Sequence, residues 1–224
     1  MFDQLIAGGK ASYEDFGASV ASRTISPPEK KSIRETVPFS NATYDFSGIN
    51  GEIYWNERAL EYVLEITAND PEELEAKKTA LSGWLMNLVN AEIHDPFIYG
   101  YHFVGTFDGL SFADEEHMQK TTATVKFAAY PYKIANAATL YKYRLAAGES
   151  KNVSVVNGSA HRITPTLSTD AAIVIVSGNT TYRAYAGTFN DDKFKLAAGV
   201  NMLTINNPGT AECNVAFSFF EEVF

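Results

Sequence analysis

The chain is poor in the residues that carry most enzyme chemistry. It holds a single cysteine, Cys213, among 224 residues, which excludes an internal disulfide and any cysteine-clustered zinc or iron–sulfur site. Cys213 lies in the sheet-like run AECNVAFSFF, where a small buried hydrophobe is expected rather than a reactive thiol. No apolar run approaches the ~18 residues of a membrane helix, so no membrane partner is expected. The opening MFDQLIAGGKASYEDFG lacks a basic segment followed by an apolar one, and export by the general secretory route is not expected.

Catalytic motifs are missing too. There is no Gly-x-Ser-x-Gly, no Walker loop, no His-Glu-x-x-His and no Gly-x-Gly-x-x-Gly after a strand. His94, His102, His117 and His161 are scattered, with no pair at the spacings that put two ligands on one face. His94-Asp95 precedes Pro96 and predicts a capped or exposed imidazole at a turn, not a dyad. The DEEHM run from Asp114 to Met118 lacks the alternating ligands and the glycine of a calcium loop, so a solvated acidic loop is expected. Sequons begin at Asn41, Asn152, Asn157 and Asn179; without a leader they are expected to serve as turn and strand residues. No catalytic, cofactor-binding or metal-binding residue is nominated, and no cofactor is expected. This points to a binding or assembly protein.

What is abundant is sheet-forming material. Aromatics make up 13% of the chain, a bias that suits pleated, half-buried surfaces. The length fits two domains of roughly 90–140 residues each. Charge is divided unevenly. Residues 1–135 carry 11 Lys and Arg against 20 Asp and Glu, a net −9, whereas residues 136–224 carry 7 of each. An acidic half argues against wrapping nucleic acid, because phosphate binding rests on Lys and Arg.

Local patterns divide the chain similarly. The first 25 residues give only a weak strand signal, and SPPEKK is a stiff connector through Pro27 and Pro28. Alternation predicts strand at Ile53 to Trp55 and again at Leu60 to Ile66, where Leu60, Tyr62, Leu64 and Ile66 share a face. The clearest helix follows, with Asp70 as N-cap, Pro71 in the first turn and Glu73 at the capping-box position. Leu74, Leu81, Trp84, Leu85, Leu88 and Val89 form its core stripe, and Glu73 pairs with Lys77. HDPFIYGYHFVGTFDGLSF and KTTATVKFAAYPYKIA predict strands around a turn at Asp108-Gly109 and the acidic loop. Beyond a boundary near PYKIANAAT, eight short strands are expected: LYKYRL, KNVSVVNG, HRITPTLS, AAIVIVSG, TYRAYAG, DKFKLAAG, NMLTINNPG and CNVAFSFFEE. Their Asn, Gly and Pro punctuation indicates a β-sandwich or jelly-roll-like domain.

In order and register, PFSNATYDFSG at 38–48, DPEELEAKKTALSGWLM, DPFIYGYHFVGTFDGLSF, TATVKFAAYPYKIA and GVNMLTINNPGTAECNVAFSFFEEVF resemble the distal tail protein (Dit) family of siphophages and prophages. The resemblance covers nearly all of the chain. One departure is Phe39-Ser40-Asn41-Ala42, where many relatives place glycines after the proline. The resemblance implies a mainly β (α+β) fold. Residues 1–135 would be a ring-forming belt domain of β-sheet with one helix, related to tail-tube proteins, and residues 136–224 a galectin-like β-sandwich. It implies a structural, non-enzymatic protein of the phage tail: a homo-oligomer, a hexameric ring, joining the tail tube protein to a tail-tip or tail-associated protein, with a receptor-binding protein as a further partner. DNA would pass through the channel without specific binding. The segment VPFSNATYDFSGING would be a connecting arm, with Pro38, Tyr44, Asp45 and Phe46 in subunit contact. The competing readings are a carbohydrate-binding sandwich using Tyr182, Tyr185 and Phe189, and a cell-wall hydrolase supported only by the abundance of carboxylates. Both tryptophans, Trp55 and Trp84, fall outside the second half, against a galectin-type sugar site.

Overall fold

The structure is a computed structural model that describes residues 3–36, 38–39, 41–48, 51–115 and 119–224. Two compact units emerge, one running to Lys133 and including Phe224, the other spanning Ile134–Val223. The fold is mainly β.

In the first unit, β1 (Ile6–Ala7), β2 (Lys10–Ala11), the short helix α1 (Ser12–Phe16) and β3 (Ala18–Ile25) precede a hairpin of β4 (Arg34–Thr36) and β5 (Thr43–Asp45). The long strand β6 (Arg58–Thr67), helix α2 (Pro71–Leu85), β7 (Ala91–His94), β8 (Tyr101–Asp114) and β9 (Lys120–Ala129) follow. The main sheet has the order β2-β1-β7-β8-β9-β6-β3, and every neighbouring pair is antiparallel. Alternation along β6 does what its pattern requires: Leu60, Tyr62, Leu64 and Ile66 are fully buried, while Glu61 and Glu65 turn outward to Lys126 and Lys120 at 3.2 and 3.5 Å. Helix α2 covers the apolar face with Leu74, Leu81, Trp84 and Leu85. The Asp70 side chain accepts from Glu73 N at 2.8 Å, and Glu73 reaches back to Asn69 N and across to Lys77, each at 2.8 Å. Trp84 stacks on Phe16 at 4.8 Å and donates its indole N–H to the Ala7 carbonyl.

Several expectations need correction in this unit. The first 25 residues contribute three strands and α1, because β3 finds a partner in β6 that local propensity does not announce. Ile53 to Trp55 forms only a single bridge, Lys30 to Trp55. The ladder cannot extend towards Pro27 and Pro28, which have no N–H to donate. Asp108-Gly109 is not a turn: β8 runs straight through it, and the register with β9 slips between Phe107 and Gly109, leaving Asp108 as the extra residue of a bulge. Val89 is 67% exposed, since α2 stops at Leu85 and the following residues lose helical phase; Leu88 is buried from the loop.

After β10 (Lys133–Ala135), the second unit is built from β11 (Thr139–Leu145), β12 (Ser150–Asn157), β13 (Thr166–Thr169), β14 (Ile173–Ser177), β15 (Thr180–Ala184), β16 (Gly187–Asn190), β17 (Gly199–Asn206), β18 (Cys213–Phe219) and β19 (Glu222–Val223). Two four-stranded sheets, β11-β18-β13-β16 and β12-β17-β14-β15, enclose Leu145, Val155, Leu167, Ile175, Leu203, Ile205, Val215 and Phe217. This is a β-sandwich. DKFKLAAG is not one of its strands: Asp191 accepts from Lys193 N and turns the chain, so that Phe194 and Leu196 enter the core as plugs. The strand partnering β13 is instead β16, four residues spanning Gly187–Asn190.

Candidate functional site

The Pro-rich connector sets up an exposed feature of the first unit. Past Pro27 and Pro28 the chain pairs with a returning segment, through Lys31 N to Tyr54 O and Asn56 N to Glu29 O, each 2.8 Å. Beyond that base, β4 and β5 pair with each other, Arg34 opposite Asp45, Glu35 opposite Tyr44 and Thr36 opposite Thr43. Every residue of both strands is exposed. The hairpin is held by Phe46 N to Ile33 O and by Ile33 N to the Ser47 hydroxyl, both 2.9 Å.

Of the four nominated residues, the structure brings Tyr44 and Phe46 together: their rings lie 6.4 Å apart and 19° from parallel, at 54% and 40% exposure. Asp45, between them in sequence, accepts from Ser47 N at 2.9 Å and faces Arg34 at 3.4 Å. The Ser47 hydrogen bonds, more than Arg34, hold its carboxyl below the usual carboxylate range. Pro38 sits apart at an exposed turn beside Phe39, which has φ +64° and is fully exposed. Val37, Ser40, Ile49 and Asn50 lie outside the described residues. Ile33, Ile53 and Tyr54 add further exposed apolar surface along the same arm.

Other nominated groups are distributed differently. Cys213 is fully buried, and burial pushes its thiol up, away from the thiolate that chemistry needs. His94 and His102 approach to 5.3 Å across β7 and β8, a cross-strand meeting that sequence spacing could not reveal. Asp95 is not a partner in a histidine dyad but a buried anchor, accepting from the Tyr62 hydroxyl at 3.0 Å and from Phe97 N at 2.8 Å and touching Arg23 Nη1. Burial foremost, and then Asp95, push the Tyr62 hydroxyl well above its ordinary range. No group of three or more His, Cys, Asp or Glu among the described residues is placed to hold a metal; the DEEHM loop falls partly outside them, at 116–118.

In the second unit a shallow cavity of about 490 Å³ lies on the outer face of the sheet containing β11, β18 and β13, with Lys142, Arg144, Ser168, Asp170 and Asn214 among its walls. The three aromatics nominated for sugar stacking are not gathered there. Tyr182 packs on Phe194 at 5.3 Å and donates to Asp191, Phe189 packs against the core, and Tyr185 is exposed by itself.

No protein-family model matches the chain, and no curated protein matches it in sequence. Among solved structures it is similar to the crystal structure of SPP1 Dit (gp 19.1), described as a paradigm of hub adsorption apparatus in Gram-positive infecting phages, with TM-score 0.72, 12% identity and 100% of each chain covered. A phage p2 baseplate structure in its activated conformation with Sr covers 96% of this chain and 98% of its own, at 8% identity and TM-score 0.41, too low to carry an argument. The first likeness, spanning both units and every layer described above, is one of fold: from end to end, this chain has the Dit fold.

Proposed function

We propose that the chain is a structural protein of a phage tail, a ring hub at the distal end that joins the tail tube to the tail tip or baseplate. Residues 1–135 would form the ring and residues 136–224 the β-sandwich that projects from it, with no enzymatic activity. The observation that carries this reading is the full-length likeness to SPP1 Dit, a hub protein of a phage adsorption apparatus. The exposed hairpin arm supports it independently, because a lone two-stranded ribbon is marginal in water and gains by lying on another surface. The acidic surplus of residues 1–135 supports a passage through which DNA moves without adhering.

Size-exclusion chromatography with light scattering over a concentration series, with negative-stain images of any large peak, tests the proposal: six-fold rings are expected. Replacing Tyr44 and Phe46 together with Ser should weaken association by on the order of 2 kcal/mol, about thirty-fold in Kd, if they are central contacts. A double variant that assembles like the parent would remove the arm from the interface.

A further inference from the structure

The last strand of the second unit is seated on the turn at 157–161. Asn157, 1% exposed, fixes that turn: its amide donates to the carbonyls of His161, Leu196 and Ala197 at 3.0, 3.2 and 3.2 Å, and its Oδ1 accepts from Ser159 N at 2.9 Å. Strand β19 closes onto the turn through Ala160 N to Glu222 O at 2.8 Å and Glu222 N to the Ser159 hydroxyl at 2.9 Å. The approach is close enough that a Cβ on Gly158 would fall 2.6 Å from the Glu221 carboxylate.

His161 adds a contact whose proton count follows from its geometry. Its Nδ1 lies 2.7 Å from the Arg162 carbonyl and its Nε2 lies 2.8 Å from Glu222 Oε2. A carbonyl only accepts, and so does an ionised carboxylate. A neutral imidazole has one N–H, which would leave the lone pair of its other nitrogen against an acceptor. The contact is therefore complete only with a second proton, as imidazolium against carboxylate. Ser218 shares the cavity of about 490 Å³ onto which His161 and Glu222 open. Both ring nitrogens are already engaged, however, so the group is not a nucleophile with its base. Of the other charged groups described nearby, Arg162 lines the same cavity, Glu221 accepts from the Thr139 hydroxyl at 3.2 Å, and Asp192 accepts from Thr164 at 3.0 Å. The His161 and Glu222 side chains are 30% and 23% exposed, so the pair can exchange protons with solvent.

We infer that His161 and Glu222 form a proton-operated latch that holds β19 on the turn at 157–161. The second proton is shared with Glu222 in the folded chain, so it leaves at a higher pH than from a histidine in an unfolded chain, where the midpoint is about 6.5. The hold is complete below about pH 6.5 and is lost as pH rises through the folded midpoint. The inference is independent of the assembly reading.

The test is an NMR titration of the His161 ring, with hydrogen exchange at the Ala160 and Glu222 amides corrected for the pH dependence of intrinsic exchange. The expected midpoint lies above about 7.5, a unit or more over the ordinary value, and protection of both amides falls roughly ten-fold as pH passes through it. Glu222→Gln is the discriminating variant, because its side-chain amide can donate to an unprotonated Nε2. In that variant the His161 midpoint should return to about 6.5 or below, with amide protection independent of pH. A parent midpoint at or below about 6.5 overturns the latch. So does a raised midpoint with unchanged protection, which would mean that the pair titrates without holding the strand. Glu222→Gln that keeps the parent's pH dependence overturns it as well. Should that variant fail to fold, the two readouts on the parent decide by themselves.

Discussion

Glu73 shows how much one partly exposed side chain can hold in place. It accepts from Lys77, from Asn69 N and from the Asn69 side chain, and its pKa falls from 4.5 to about 2, Lys77 being the largest cause and Asn69 N the next. A depressed pKa means that the charged form favours the folded state. The stabilisation is complete above pH 4.5 and disappears as pH falls through about 2. Glu73→Gln should therefore lower the melting temperature at neutral pH, with the gap to the parent closing between pH 4.5 and 2. A gap independent of pH would mean that the charge of Glu73 contributes nothing to the helix start. The capping residues Asp70, Pro71 and Glu73 were readable in the sequence because they act within four residues of each other. The Tyr62–Asp95–Arg23 cluster was not. Its members are far apart in the chain, and only the antiparallel pairing of β3 with β6 and the turn after β7 bring them together.

At the level of elements, strand edges decide what a sheet protein can join. β12 is an edge of its sheet, and two tyrosines of β11 close it. The Tyr141 hydroxyl accepts from Val156 N at 3.1 Å and donates to Val156 O at 3.3 Å, and the Tyr143 hydroxyl donates to Ser154 O at 3.0 Å. An uncapped edge is a template for further strands. Replacing Tyr141 and Tyr143 together with Phe should cost about 1 kcal/mol for each hydrogen bond lost and add concentration-dependent light scattering from pairing at β12. Unchanged melting and scattering would show that the hydroxyls do not guard this edge. β4 and β5 are the contrasting element, with no sheet beyond their own pair and with aromatic rings in place of caps. The arm thus presents exposed aromatic rings, whereas the β12 edge is capped by tyrosine hydroxyls.

At the scale of the whole molecule, each unit has its own closed core. Phe217 is fully buried, against Phe194 at 5.9 Å and Tyr143 at 6.2 Å. Phe217→Ala should destabilise the second unit by about 3–5 kcal/mol. In calorimetry this should lower one unfolding transition and leave the one belonging to the first core in place. A single transition that moves as a whole would show that the two cores unfold together.

The sequence alone determined what depends on near neighbours: the alternating face of β6, the capped start of α2, the turn-punctuated strands of the second unit and the buried character of Cys213. Each rests on periodicity or on bonds spanning a few residues, which are written directly into residue order. Tertiary structure decided the rest. It recruited the weakly patterned first residues as sheet partners, converted Asp108-Gly109 from turn to bulge and withheld a ladder from Ile53 to Trp55. It also set Arg23 and the Tyr62 hydroxyl against the buried Asp95. These outcomes depend on which strands lie side by side, and that choice is made by the burial of whole faces rather than by any local run of residues.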